Sequence, residues 1–258
     1  MSQGLRVDLN ADVGESFGAR QIGDDEPIFK YVTSANVACG FHAGDTNIIA
    51  ATIRAAAARK VAVGAHPSYP DSAGFGRQTI EMPADELRHV IIYQIGAVDA
   101  LARSLGVTLV HVKPHGALYN DAAKNPALAA AVADAVATYD KNLILVGLAG
   151  SHMIAAGRAA GVRVAAEAFS DRVYETDGTL RSRALPDAMI EDPKRAAAQA
   201  VDIVVNRRVT ASDGKQVRVQ AQTLCVHGDA PNAVDVASAV RKALSSAGVE
   251  IAEMQRLL

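Results

Sequence analysis

Val7-Asp8-Leu9-Asn10-Ala11-Asp12 alternates apolar and polar side chains one by one. A β-strand turns successive side chains to opposite faces, so Val7, Leu9 and Ala11 share one face and Asp8, Asn10 and Asp12 the other. In a β/α barrel the apolar face packs beneath the helices and the second face points inward. The same phase returns along the chain. Asn36, Ala38, Gly40 and His42 alternate with Val37, Cys39 and Phe41, and Ala62, Gly64 and His66 with Val61, Val63 and Ala65. His111, Lys113 and His115 alternate with Val110 and Val112, Arg163 and Glu167 with Val162, Val164 and Ala166, and Thr223, Cys225 and His227 with Leu224 and Val226. These strands aim ionisable or amide groups inward, near their C-terminal ends, where barrel enzymes build their sites. Leu143–Gly147 adds nothing polar. Desolvating so many polar groups without partners costs several kcal/mol. A mouth filled by water or ligand offsets that cost; a self-satisfied polar plug is the bland competitor.

Working outward, strand-like runs fall at Leu5–Asn10, Ala35–Cys39, Val61–Ala65, Thr108–Lys113, Leu143–Gly147, Val162–Glu167 and Thr223–His227. Helical patterns separate them. Asp45 caps a run to Lys60, and Pro83 with Asp85 and Glu86 suits the first turn of a helix reaching Leu105. Asn125-Pro126, Asp192-Pro193 and Pro231 open three more. Strands alternating with helices imply parallel pairing and right-handed crossovers. Seven such units predict an incomplete TIM-like barrel, with a doubly wound open sheet as the alternative. Asp177-Gly178 and Asp213-Gly214 centre two hairpins inserted on it, within Arg172–Arg183 and Val209–Gln220. With no internal repeat, low-complexity tract or linker, residues 1–258 read as a single β/α-barrel domain.

Bulk composition narrows the function. The 258 residues are 50% hydrophobic, ample for a large core, and the net charge of -2 gives no polybasic signature for nucleic acid or an anionic membrane. No apolar run approaches a membrane span of ~18 residues. Met1 to Asp12 lacks a basic-then-apolar secretory pattern, so Cys39 and Cys225 read as reduced thiols of a cytoplasmic protein. Aromatics are sparse and Trp is absent, which counts against a polysaccharide substrate.

Chemistry concentrates at the strand ends. Asp12, followed by Gly14 and Glu15, is a candidate base or metal ligand, against the bland reading of a turn carboxylate. His42 lies between Gly40 and Gly44, whose backbone freedom permits close ligand approach. Pro67 holds His66 extended, and Arg77 on the Gly74-Phe75-Gly76 loop can clamp a carboxylate or phosphate. Lys113, buried at the end of an apolar strand, needs an anion or must lose its proton; it reads as an electrophilic stabiliser, with His115 as proton carrier or substrate ligand. Glu167 and Arg172 either pair structurally or face substrate, and the hairpin bearing Tyr174, Arg181 and Arg183 can act as a lid. His227 is a better site candidate than Asp229, which has a helix-capping alternative. No G-x-x-x-x-G-K-[ST], C-x-x-C or H-E-x-x-H occurs. A divalent metal, if held, would draw on Asp12, His42 and His66.

Several segments resemble the LamB/YcsF family: Asp8-Leu9-Asn10-Ala11-Asp12, Asn36 through Asp45, Val63-Gly64-Ala65-His66-Pro67, Val112 through Asn120, Glu167-Ala168-Phe169 with Asp171-Arg172 and Tyr174, and Cys225-Val226-His227-Gly228-Asp229. The resemblance runs from Leu5 into the final helix. It implies a seven-stranded β/α barrel similar to polysaccharide deacetylases. It also implies a 5-oxoprolinase activity, the ATP-consuming opening of 5-oxo-L-proline to L-glutamate, shared with subunits B and C. Water attack on an activated lactam would then use Asp12 or Glu167 as base, Lys113 as stabiliser and His42 or His66 in proton transfer. Arg77 or Arg172 would hold the substrate carboxylate, with Asn10, His115, His227 and Asp229 as further contacts. ATP would serve as co-substrate, held with a partner subunit. Self-association stays open. The rival readings are a stand-alone metal-dependent deacetylase or amidase, and a subunit that binds substrate without performing chemistry.

Overall fold

The computed structural model describes residues 4–18, 22, 25–227 and 232–258. The alternating runs form strands β1 (Arg6–Val13), β2 (Ser34–Ala38), β3 (Ala62–His66), β4 (Leu109–Val112), β5 (Ile144–Leu148) and β6 (Arg163–Phe169). Next come β7 (Arg208–Thr210), β8 (Gln216–Arg218), β9 (Thr223–Cys225) and a short β10 (Glu250–Ile251). Helices α1 (Asp25–Ile28), α2 (Thr46–Ala58), α3 (Ala84–Ser104), α4 (Gly116–Lys124), α5 (Pro126–Tyr139), α6 (His152–Ala159), α7 (Pro193–Val201) and α8 (Ala233–Ser246) intervene.

The caps act as their residue types dictate. Asp45 accepts from the Asn47 and Ile48 amides, Asn125 from Ala127 and Leu128, and Asp192 from Lys194. Pro126 and Pro193 occupy first-turn positions, where a missing N–H costs nothing. Pro231 lies outside the described residues; α8 begins at Ala233.

Order β1-β2-β3-β4-β5-β6-β9 is parallel throughout, and β9 pairs with both β6 and β1. Asp8 sits opposite Thr223 on one side of β9, and Glu167 opposite Thr223 on the other. The sheet therefore closes as a seven-stranded barrel, not a doubly wound open sheet. Strand β10 adds outside β1. Both expected hairpins form: β7 and β8 pair antiparallel, and Tyr174 bridges Leu180 across the other turn. Tyr174 also bridges Ala211, so the two insertions abut.

Val7, Leu9, Ala11, Val13, Val37, Val63 and Ala65 are buried in the large apolar cluster shared with the helices. Inside, a separate small cluster of Ile144, Val146, Ala165 and Met254 floors the barrel. The apolar fifth strand, which brings nothing to the mouth, supplies two of its members. Arg163 corrects the sequence reading. It lies at the far end of β6, exposed, and donates to the Asn142 carbonyl at 2.6 Å, so it is no part of the interior.

Candidate active site

Above the apolar floor the barrel holds a continuous polar network. Asp8 is fully buried, and its carboxylate accepts from Thr33 and Ser34 hydroxyls at 2.7 and 2.6 Å and from Thr223 at 2.6 Å. Burial outweighs these bonds and pushes its pKa up to about 6. One layer higher, Asn10 donates to Glu167 Oε1 (2.9 Å) and Thr223 Oγ1 (2.6 Å) and accepts from Asn36 (2.7 Å). Asn36 reaches His111 Nε2 at 2.7 Å and Asp12 Oδ1 at 2.8 Å. Burial, then the Lys113 charge, lowers His111 to about 3, so this imidazole is neutral. Its ring lies over Gly64; a Cβ there would meet His111 Nε2, which explains the glycine in β3.

Lys113 organises the next layer. Its Nζ lies 3.0 Å from both Asp12 Oδ1 and Glu167 Oε1, 3.1 Å from Cys225 Sγ and 3.2 Å from Asn10 Oδ1. Burial alone would strip its proton, but the Asp12 and Glu167 carboxylates prevail and hold its pKa well above the usual lysine value. Asp12 answers in kind: burial raises it, but the His66 and Lys113 charges outweigh that and keep it well below the ordinary carboxylate range. Burial pushes the Cys225 thiol far up, so it stays protonated.

Over this layer sits an imidazole group. His66 Nδ1 is 2.6 Å from the Lys113 carbonyl, and its Nε2 is 3.3 Å from Asp12 Oδ2 and 3.0 Å from His115 Nδ1. His115 stacks on His42 with centroids 3.8 Å apart and planes 3° apart. Glu15 Oε1 is 3.3 Å from His42 Nε2 and 3.4 Å from His115 Nδ1. Burial, followed by the neighbouring rings, holds both His42 and His115 well below the usual histidine value. Gly76 (φ +65°) lets the loop over these rings close: a Cβ would sit 2.8 Å from His115 Cδ2 and 2.9 Å from His42 Cβ. On the opposite side Asp171 receives the His227 backbone amide at 2.8 Å and its Nδ1 at 2.9 Å, and the His227 charge keeps Asp171 low despite burial.

All this opens into a cleft of about 650 Å³. Asp12, Glu15, His66, Lys113, His115 and His227 form its floor, and Arg77, Lys124 and the hairpin residues Leu180 to Leu185 its rim. The sequence-derived candidates Asn10, Asp12, His42, His66, Lys113, His115, Glu167 and His227 thus meet in one connected cluster. Their positions in it differ. Asn10 and Glu167 are fully buried beneath Lys113, and His42 lies behind His115, off the cleft wall. Arg77 is exposed on the rim, its guanidinium 4.9 Å above the Phe75 ring. Arg172 is buried, and burial lowers it to about 10. Its Nε and Nη2 bond to the Ala188 and Arg181 carbonyls at 3.3 and 2.6 Å, so it fastens the hairpin base. Asp229 falls outside the described residues.

Glu15, Tyr119 and Asp171 were not singled out from sequence, yet belong here. Glu15 is one residue beyond Gly14 (φ +70°), a kink that returns the chain over the barrel mouth. Tyr119 lines the cleft, and neither its hydroxyl nor Glu167 Oε2 makes a well-formed hydrogen bond. Only the turn of α4 after His115 brings it there. Among the described residues, two groups place potential metal-ligand atoms within 4.8 Å of one another: Glu15, His42, His66 and His115, and Asp12, Cys225 and His227. Among the described residues no helix is long and apolar enough to cross a membrane.

The sequence model of the LamB/YcsF family matches residues 7–258. A protein of Methylococcus capsulatus, named as the A subunit of 5-oxoprolinase, is 52% identical over 248 residues, spanning 96% of this chain and 95% of that one. A Chloroflexus aurantiacus protein of the same name is 52% identical over 252 residues, spanning 98% and 100%. The crystal structure of Lactam Utilization Protein from Thermus thermophilus is similar at TM-score 0.90 and 48% identity, covering 96% of this chain and 99% of that chain. The structure of T48 deacetylase with substrate has a TM-score of 0.50 at 13% identity, covering 98% and 90%. That is a likeness of fold alone.

Proposed function

The chain belongs to the LamB/YcsF family, and on that premise we propose that it is the A subunit of a 5-oxoprolinase, opening the lactam of 5-oxo-L-proline to L-glutamate. The observation that carries the reading is the Lys113 ammonium, held cationic between Asp12 and Glu167 at 3.0 Å on a floor open to the cleft.

An unstrained lactam is a poor electrophile, and glutamate tends to reclose. Transfer of a phosphoryl group from ATP to the amide oxygen makes a phosphorylated imidate with a good electrophilic carbon. Water adds to that carbon. Loss of phosphate from the adduct would only restore the lactam, so the ring C–N bond breaks first, its nitrogen taking up a proton. A second water then hydrolyses the resulting acyl phosphate to glutamate and phosphate. An electrophile so activated needs only a weak base, and Asp12, ionised at neutral pH and at the cleft floor, is placed for it. Lys113 stabilises charge on the oxygen or its phosphate. Glu167, fully buried and already bonded to Asn10 and Lys113, fixes the ammonium and does not act as base. His66 orients Asp12. His115 and His227 wall the substrate, and Arg77 on the rim meets its carboxylate. ATP is consumed within a complex containing subunits B and C.

The test is ATP-dependent glutamate release by the chain alone and after reconstitution with subunits B and C. Release should require the mixture and disappear with Lys113→Ala or Asp12→Asn. Full activity of either variant removes that residue from the mechanism, and release by this chain alone without ATP favours an independent amidase.

A further inference from the structure

The histidine rings at the mouth have tautomers dictated by their neighbours. His66 Nδ1 is 2.6 Å from the Lys113 carbonyl and His115 Nε2 is 2.9 Å from the Phe75 carbonyl. A carbonyl only accepts, so each of these nitrogens carries hydrogen. The nitrogens left to bind a ligand are His66 Nε2 and His115 Nδ1. They face each other at 3.0 Å. A carboxylate oxygen, Glu15 Oε1, lies 3.4 Å from His115 Nδ1. The two ring nitrogens and the carboxylate thus converge on one point at the cleft, with Asp12 Oδ2 3.3 Å from His66 Nε2 on the other side.

We propose that Glu15, His66 and His115 bind a divalent d-block cation of the zinc type, leaving a coordination position open to the cleft. Ligands held tetrahedrally at about 2.0–2.1 Å lie roughly 3.3–3.4 Å apart. The separations from His115 Nδ1, 3.0 and 3.4 Å, are within a few tenths of an ångström of that, and ligand atoms of all three residues lie within 4.8 Å of one another. Two imidazoles and one carboxylate are a donor set that suits zinc, and three protein ligands leave room for water or substrate. The three residues all line the cleft. Their fixed N–H groups supply the outer hydrogen bonds that aim metal-binding histidines.

His42 is not a fourth ligand. Its plane is parallel to that of His115 at 3.8 Å, so the in-plane lone pairs of the two rings cannot meet on one ion. Its Nε2, 3.3 Å from Glu15 Oε1, instead orients the carboxylate. Nor does the group of Asp12, Cys225 and His227 compete. The Lys113 ammonium sits 3.1 Å from Cys225 Sγ and 3.0 Å from Asp12 Oδ1 and repels a cation there. The site lies in the cleft assigned to the lactam, but metal binding by this chain is read without that reaction.

The 258-residue chain, stripped by chelator and dialysed against Zn²⁺ or Co²⁺, should retain a single equivalent by elemental analysis. The Co²⁺ form should show tetrahedral d–d absorption without a thiolate charge-transfer band. Glu15→Gln and His115→Gln should each weaken Zn²⁺ binding at least about tenfold, while Cys225→Ser binds as the parent does. Circular dichroism establishes that each variant is folded. A parent chain that holds neither ion overturns the proposal, and a proton shared between His66 and His115 then fills the gap. Unchanged binding in both ligand variants, or binding lost in Cys225→Ser, overturns it equally.

Discussion

Replacing Lys113 with methionine keeps the length of the side chain and removes its charge. Asp12 and Glu167 then face each other across the vacated position with no cation at 3.0 Å, inside a wall that is almost dry. Deleting one partner of a buried ion pair costs about 3–5 kcal/mol, because the remaining charge is left uncompensated. At about 2–4 °C per kcal/mol for a chain of this size, the melting temperature should fall by roughly 6–20 °C. Adding Glu167→Gln removes one of the stranded carboxylates. The double variant Lys113→Met/Glu167→Gln should therefore melt above the single, with a coupling of about 1–3 kcal/mol in a double-mutant cycle. Glutamate release should stay about a hundred- to a thousandfold down in both, since the stabilising cation is absent in each. Calorimetry on the four proteins, with the reconstituted assay alongside, reads both quantities. Additive losses of stability, or a single variant melting with the parent, would refute the account of Lys113 as the counter-ion of two buried carboxylates.

Asp8, raised to about 6 in the folded chain, favours folding while protonated, and that contribution is lost as pH rises from about 4 through 6. The stability of Asp8→Asn relative to the parent should therefore rise by about 3 kcal/mol across that window, and a difference that is flat from pH 4 to 7 would contradict it. Gly64→Ala drives a Cβ into the His111 ring; urea titration should show a loss of about 1–3 kcal/mol, and an unperturbed midpoint would mean the ring is free to move. Arg181→Ala cuts the 2.8 Å contacts to Glu175 and Asp187 that brace the hairpin over the cleft. KM for the lactam should rise several-fold with little change in melting temperature, and an unchanged KM would deny the hairpin a role as lid. Asp12 is held low and Lys113 high, so neither should inflect the kcat profile between about pH 5 and 9; an NMR titration that finds the Asp12 carboxyl ionising within that range would contradict it.

The strand phase was legible because a period of two is a local property: each polar residue of Val7 to Asp12 declares its face through its neighbours alone. The helix starts at Asp45, Asn125 and Asp192 were legible for the same reason, since a cap bonds amides two or three residues away. Phase does not say how far along a strand the site begins, so Arg163 shared the parity of Glu167 yet lies at the other end of the barrel. Nor does it rank the residues within the cluster. Glu167, read as a possible base, lies beneath Lys113, and Arg172, read as a clamp, lines the cleft while its Nε and Nη2 bond to the Ala188 and Arg181 carbonyls.

By itself the sequence determined a set of parallel strands with one apolar and one polar face, because side-chain alternation and helix capping act over a few residues. Closure through β9, the placing of Glu15 and Asp171 beside histidines from other strands, and the division between buried support and cleft floor were decided only in three dimensions. Those features rest on contacts between residues far apart in the chain, whose distances are set by how the seven strands meet, and no local pattern encodes them.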